Sequence, residues 1–295
     1  MDYAYTIQGW VKGVNNDALI PDRDIGKDAS LTVGNINKFI ASDAFGYSLG
    51  YYAGDYTAIG NIAPADNFIA STAGSALLAD RNDLFNGNIS HMITALTDPL
   101  TNTAIPQGTA YKYDQLNRIK RMRAHRNLDF TNNLWPAASG DDGSYATDYS
   151  YNANGSIVSL KRNGPAGVSL DMDDMTYVYE NVTNGYARNT NKLRQIIDAV
   201  PSNIYTDDMD SQAADNFDYD EIGNLIKDDF ECIQDIEWTV YGKVKKLTRI
   251  PGCTTEGTAM PDLEFKYDAN GNLTAKIVKP DGTTNPDTPL EWETT

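Results

Sequence analysis

Phe265-Lys266-Tyr267-Asp268-Ala269-Asn270-Gly271-Asn272-Leu273 decides the fold, because its internal spacing recurs along the chain. An aromatic pair stands at i and i+2 and an acid or amide follows. Gly or Asn comes four residues after the second aromatic, and an aliphatic two residues further on. The same arrangement reads Tyr111-Lys112-Tyr113-Asp114 to Asn117-Arg118-Ile119, Tyr149-Ser150-Tyr151-Asn152 to Gly155-Ser156-Ile157, and Phe217-Asp218-Tyr219-Asp220 to Gly223-Asn224-Leu225. Ile236-Glu237-Trp238 with Gly242-Lys243-Val244, and Tyr3-Ala4-Tyr5 with Gly9-Trp10-Val11, keep the spacing without the acid. Two echoes are partial. Tyr177-Val178-Tyr179-Glu180 lacks its turn, and Phe85-Asn86-Gly87-Asn88-Ile89 lacks its first strand. Self-similarity of this kind outranks other sequence signals of fold.

Each unit reads as a β-hairpin. Aromatics two apart share one face of a strand, since side chains alternate with period 2. The Asp or Asn side chain then caps backbone amides two residues on, and Gly takes the φ > 0 position of a turn closed by a bulge. Leu, Ile or Val opens the returning strand. Asn117 preserves the turn where it replaces Gly, because Asn tolerates the left-handed region.

On Tyr113-Asp114, Tyr219-Asp220-Glu221-Ile222-Gly223-Asn224-Leu225 and Tyr267-Asp268-Ala269-Asn270-Gly271-Asn272-Leu273, the chain resembles the YD-repeat (Rhs) family. The opening Tyr5-Thr6-Ile7-Gln8-Gly9-Trp10-Val11 and the Asn86-Gly87-Asn88-Ile89 element look similar to the repeat cores of secreted Bacteroidetes members. The resemblance covers residues 108–295 closely and residues 1–107 as a degenerate region with long loops. It implies an all-β fold of tandem hairpins joined edge to edge into a long, antiparallel, spiralling sheet. In that family the sheet is a hollow shell around a C-terminal toxic domain, and animal relatives use similar shells for adhesion. The implied role is a structural segment of such a shell, in a secreted or cell-surface protein, without enzyme activity of its own. Its implied partners are neighbouring repeats and an enclosed toxin domain. Members that release cargo carry a closing segment with an Asp-Pro-x-Gly core and an aspartyl self-cleavage site. Asp98-Pro99-Leu100 is the only Asp-Pro here and no Gly follows in place, so self-cleavage is not carried over.

Composition agrees with a β-rich chain. It holds 18 Tyr and 2 His in 295 residues, with a mean hydropathy of −0.47 and abundant Asn, Asp, Thr and Gly, which favours strands and turns over long helices. A net charge of −17 argues against nucleic acid, which needs a basic stripe to neutralise phosphates. The one dense basic stretch, residues 118–126 with Lys120, Arg121 and Arg123, reads as a strand face balancing nearby acids. No run approaches the ~18 apolar residues of a membrane helix, and the opening residues, which lack a charged stretch followed by an apolar core, are not expected to act as a signal peptide. With Met1 directly inside a repeat-like strand and no closing element after Pro286, the chain is expected to be a piece of a longer protein.

Residues 17–44 read as a long insertion, and the Gly/Tyr-rich run 46–56 as loops around strands. Residues 68–84 carry the only helical character, in Ala70, Ala73, Ala76, Leu77 and Leu78, and predict one short helix at most, capped by Asp66 or Asn67. Turn-rich connectors are expected at 132–143, 163–167, 184–191, 201–215 and 252–261.

No chemistry stands out. The acids of 207–210 and 171–174 do not continue as calcium loops, and Asp268 to Asn272 is the repeat turn itself. Paired carboxylates such as Asp218/Asp220/Glu221 and Asp228/Asp229/Glu231 sit beside turns, so a glycoside hydrolase is the least favoured class. Nucleophile-elbow, dinucleotide and P-loop motifs are missing, and no cofactor or metal is expected. Cys232 and Cys253 are the only cysteines. Extended strand places them too far apart to bond, so free thiols are expected unless Pro251-Gly252 folds the chain back. The competing class is an extracellular carbohydrate-binding or adhesion module. Trp135, in the loop Asn132-Asn133-Leu134-Trp135-Pro136, is its ligand-facing candidate, Trp292 is another, and Trp10 and Trp238 read as core.

Overall fold

The computed structural model describes residues 1–58, 67–101, 103–136, 142–167, 169–205, 208–255, 258–279 and 291–293. The fold is all-β and built from consecutive antiparallel hairpins, as the repeat spacing predicts. α-Helix among the described residues is confined to Ser75–Ala79 (α1), with 3-10 turns at Pro21–Arg23 and Val182–Asn184. The chain forms two compact units, one of Met1–Ser150 with Leu160–Asp173, the other of Tyr151–Ser159 with Asp174–Thr295.

In the first unit the strands are Tyr3–Tyr5 (β1), Val11–Val14 (β2), Phe45–Gly50 (β3), His91–Thr97 (β4), Ala104–Tyr113 (β5), Ile119–His125 (β6) and Thr147–Tyr151 (β7). Each pairs antiparallel with the next in the chain. Period 2 is visible in β4 and β5, where Ile93, Ala95 and Ala110 are fully buried. The face carrying Ile93 and Ala110 is covered by chain from the long connectors: Ala18, Leu77 of α1, Leu128 and Trp135. Gly108 on β5 makes this possible, since a Cβ there would lie 2.9 Å from Leu77 Cδ1 and 3.5 Å from the Trp135 ring.

The run 46–56 differs from expectation, because β3 occupies its first part. Gly46, Ser48 and Gly50 alternate on the buried face of that strand. A Cβ at Gly46 would fall 2.1 Å from the Asn16 carbonyl oxygen, and one at Gly50 1.9 Å from the His91 ring. Glycine here answers close approach within a sheet, where local propensity suggests a loop. The helix also differs at its start. α1 begins after Gly74 with no side-chain cap, Asn67 lies well upstream of it, and Asp66 falls outside the described residues.

Ile157–Asn163 (β8) and Asp171–Tyr179 (β9) follow β7. In the second unit β9 pairs with Leu193–Asp198 (β10), Tyr179 facing Leu193. Phe217–Tyr219 (β11), Leu225–Asp228 (β12), Ile233–Trp238 (β13) and Val244–Arg249 (β14) begin a sheet. It continues directly from β14 to Asp262–Tyr267 (β17), Leu273–Lys279 (β18) and Glu291–Glu293 (β19). Between β14 and β17 lies a two-residue pair, Thr254–Thr255 (β15) with Thr258–Ala259 (β16).

Cys232 and Cys253 form a disulfide, with Cα atoms 6.1 Å apart, against the expectation of free thiols. Pro251-Gly252 does fold the chain back: Gly252 is left-handed at φ 78°, and the Cys253 amide donates to the Ile250 carbonyl at 3.2 Å.

Candidate functional site

The repeated turn is the one constellation that the sequence builds many times, and its geometry repeats with it. In the Tyr267 unit the Asp268 amide donates to the Asn272 carbonyl at 2.9 Å and the Gly271 amide to the Asp268 carbonyl at 3.0 Å. Asp268 Oδ1 accepts the amides of Asn270 and Asn272, both at 2.8 Å, and Oδ2 accepts the Asn272 side chain. Asp220 and Asn152 make the same pair of amide contacts, and Asp114 does so while its Oδ2 takes Arg118. Hydrogen bonds from Asn272 and from Arg118 hold the carboxyls of Asp268 and Asp114 below the usual carboxylate range. The register shifts by one residue at Tyr5, Tyr113, Tyr219, Trp238 and Tyr267, which is the expected bulge. Gly9, Gly155, Gly223, Gly242 and Gly271 all have positive φ, as does Asn117 at 61°. Where the acid is missing, a threonine replaces it: the Thr6 and Thr239 hydroxyls accept the Trp10 and Lys243 amides.

A second regularity links one hairpin to the next. The Tyr113 hydroxyl donates to the Ile89 carbonyl at 3.0 Å, and Tyr179 to Ile157 at 2.8 Å. Trp238 Nε1 donates to the Leu225 carbonyl and Tyr267 to the Val244 carbonyl, both at 2.8 Å. Each acceptor is the aliphatic residue two places after the turn Gly of the preceding unit. The second aromatic thus anchors its hairpin on the one before. Tyr51 belongs to the same series, since its hydroxyl reaches the Val11 carbonyl at 2.8 Å.

The repeat spacing does not reveal Tyr51. Leu49-Gly50-Tyr51 is the first strand that the partial unit ending Gly87-Asn88-Ile89 lacks. Residues 52–86 are inserted between the aromatic and its glycine, which breaks the diagnostic spacing. The Tyr177-Val178-Tyr179-Glu180 echo is also a full hairpin. Its turn is a longer loop in which Asn181 caps the Val182–Asn184 turn and Gly185 closes it at φ 94°.

The remaining candidates resolve into structure. Trp135 is not ligand-facing: it is 1 % exposed, and its Nε1 donates to Ser71 Oγ at 3.0 Å. Its loop is tied to residue 72 and closed on itself by the isolated bridges Thr72 to Leu134 and Asp129 to Leu134, and Trp135 packs with Ile93 and Ala110 of the sheet, which sequence spacing does not report. Trp10 packs against Tyr51 with ring centroids 5.0 Å apart and ring planes tilted by 48°, and the Trp292 side chain lies outside what is described. The basic stretch is matched by acids, Arg118 by Asp114, Arg121 by Asp80 and Arg123 by Asp148. Asp228 is spent on the Asn216 side chain and the Glu231 amide, and Asp229 on Lys227. Asp171 and Asp173 pair with Lys161 and Arg162; Asp207 lies outside the described residues. No helix among the described residues is long and apolar enough to cross a membrane.

No family model and no curated protein matches the chain. Among solved structures it is similar to TcdB2-TccC3 without hypervariable C-terminal region, at 12% identity and a TM-score of 0.24, over 83% of this chain and 11% of that one. A second is TcdB2-TccC3-TEV, at 11% identity and a TM-score of 0.19, over 83% of this chain and 15% of that one. The chain therefore spans a small fraction of either protein's length.

Proposed function

We propose that this chain is a segment of a YD-repeat shell wall, a structural part of a longer secreted or surface protein that encloses or presents a domain outside these residues. The reading rests on the aromatic of one hairpin hydrogen-bonded to the turn-proximal carbonyl of the hairpin before it. A bond that each unit makes to its predecessor specifies where the next hairpin sits and lets a sheet extend unit by unit, as nearest-neighbour repeats do. On this reading the acids of the turns serve backbone amides and the chain carries no reaction of its own. The carbohydrate-binding alternative loses its main candidate with the burial of Trp135.

The test is electron microscopy of the full-length protein with an antibody fragment bound to this segment, alongside a glycan-array screen of residues 1–295. A hollow body labelled on its wall supports the proposal. A solid body, or saturable glycan binding by residues 1–295, overturns it.

A further inference from the structure

The connector between β2 and β3 winds back onto the start of the chain and gathers three acids. One carboxylate oxygen from each of Asp2, Asp24 and Asp28 lies within 4.8 Å of the other two. Asp24 is the innermost, at 4 % exposure. Its Oδ2 accepts the Asp28 amide at 3.4 Å, while its Oδ1 is buried with no hydrogen-bond partner. A buried acceptor left without a donor is destabilising, and native folds complete such atoms with water or an ion. Gly26 clears the approach: a Cβ there would fall 2.4 Å from Asp2 Oδ2 and 3.3 Å from Asp24 Oδ2. Asp43 lines the same recess as Asp24 and Asp28 and adds a fourth carboxylate to it.

We propose that Asp2, Asp24 and Asp28 form a Ca²⁺ site that pins the β2–β3 connector to the first strand. The donors are all hard carboxylate oxygens, with neither His nor Cys among them, which suits calcium over transition metals. Ligands on opposite sides of a calcium ion at ~2.4 Å stand at most ~4.8 Å apart, and the three oxygens lie within that limit; magnesium demands a near-ideal octahedron and gives up its water reluctantly, which carboxylates drawn from two separate segments suit less well. Calcium also accepts water and carbonyl oxygens to complete its shell, so three protein carboxylates suffice to start one. Positions 2, 24 and 28 fit no linear calcium motif, and the site is invisible until the connector folds back.

Calorimetric titration of residues 1–295 with CaCl₂ tests this, with Asp2→Asn, Asp24→Asn and the exposed-turn control Asp98→Asn alongside. The unmodified chain should bind one Ca²⁺ with a dissociation constant of about 0.1–1 mM, the range of extracellular calcium modules. Asp2→Asn and Asp24→Asn should each weaken it at least about tenfold, Asp98→Asn should leave it unchanged, and Mg²⁺ should compete poorly. Asp24→Asn risks the fold. Asp2→Asn does not, because the tie of Asp2 to Asn15 runs through its backbone. Trypsin cutting after Arg23, Lys27 and Lys38, all in the connector, gives a second readout and should slow in Ca²⁺. No saturable Ca²⁺ binding up to about 10 mM, well past that range, or binding that survives Asp2→Asn unchanged, overturns the proposal.

Discussion

Asn117 holds at φ 61° the place that Gly155, Gly223 and Gly271 hold at 91°, 97° and 80°. The turn therefore demands the left-handed region, and glycine is one way of supplying it. Gly271→Val should cost about 1–3 kcal/mol, because a β-branched residue is strained at positive φ, while Gly271→Asn should be nearly neutral. Urea denaturation of both variants checks this, and equal losses would count against the left-handed requirement. Tyr267→Phe deletes only the hydroxyl that reaches the Val244 carbonyl and should lower stability by about 1 kcal/mol in the same assay. His91 sets a pH dependence. Loss of hydration, with the Arg81 charge, pulls its imidazole down to about 3, so the fold resists a proton that the unfolded chain takes up at about 6.5. The stability tied to this group is fully present above about pH 6.5 and is lost as pH falls toward 3. Asp43 works in the opposite sense. Burial and the Asp24 and Asp28 carboxylates raise it to about 6, so its contribution is present at acid pH and lost as pH rises through 6. Thermal melts between pH 7 and 4 should show a shallower acid decline for His91→Gln than for the parent, and an unchanged slope would refute the assignment.

At the scale of the element, the hairpin between β13 and β14 is closed twice, by the Gly242 turn at one end and by Cys232–Cys253 at the other. The bridge spans 21 residues. Reducing it should cost about 2–4 kcal/mol by freeing the unfolded chain, read as a lower denaturation midpoint in dithiothreitol. A Cys232→Ser/Cys253→Ser variant should show the lowered midpoint without reductant. The hairpins are legible in the sequence, though irregularly spaced, because Tyr-x-Tyr, the acid and the glycine each have a local reason. What could not be read is what depends on distant chain. Pro251-Gly252 was visible as a turn, but its direction, and so the disulfide, was not. Trp135 reads as exposed because Asn132, Asn133 and Pro136 around it are loop formers; the residues that bury it, Leu77, Ile93 and Ala110 among them, are distant in sequence. The three carboxylates near Gly26 are adjacent only after the connector of residues 15–44 has turned back, so no short window on the sequence holds them together.

At the scale of the whole molecule, the first strand is the end of its sheet among the described residues. β1 pairs with β2 alone among the described residues. Its Tyr3 and Tyr5 rings stack at 6.3 Å and are each half exposed. An unpaired, uncharged strand is a template for another chain. Residues 1–295 should self-associate through this strand, and Tyr3→Lys, which puts a charge on it, should suppress this. Multi-angle light scattering decides it, with a monodisperse monomer from residues 1–295 as the contrary result. The Tyr51 unit carries a different consequence. Its aromatic still reaches Val11, and the carbonyl of its Ile89 still receives Tyr113, although residues 52–86 intervene. The linkage between neighbours runs through the strands and ignores what the tip of the hairpin contains. Such tips are places where new sequence can be grafted without disturbing the rest. In this chain one of them has grown a helix, whose Leu77 joins Trp135 from the β6–β7 connector in covering the sheet. A lineage built on this plan can diversify its surface by lengthening turns while its ladder stays fixed.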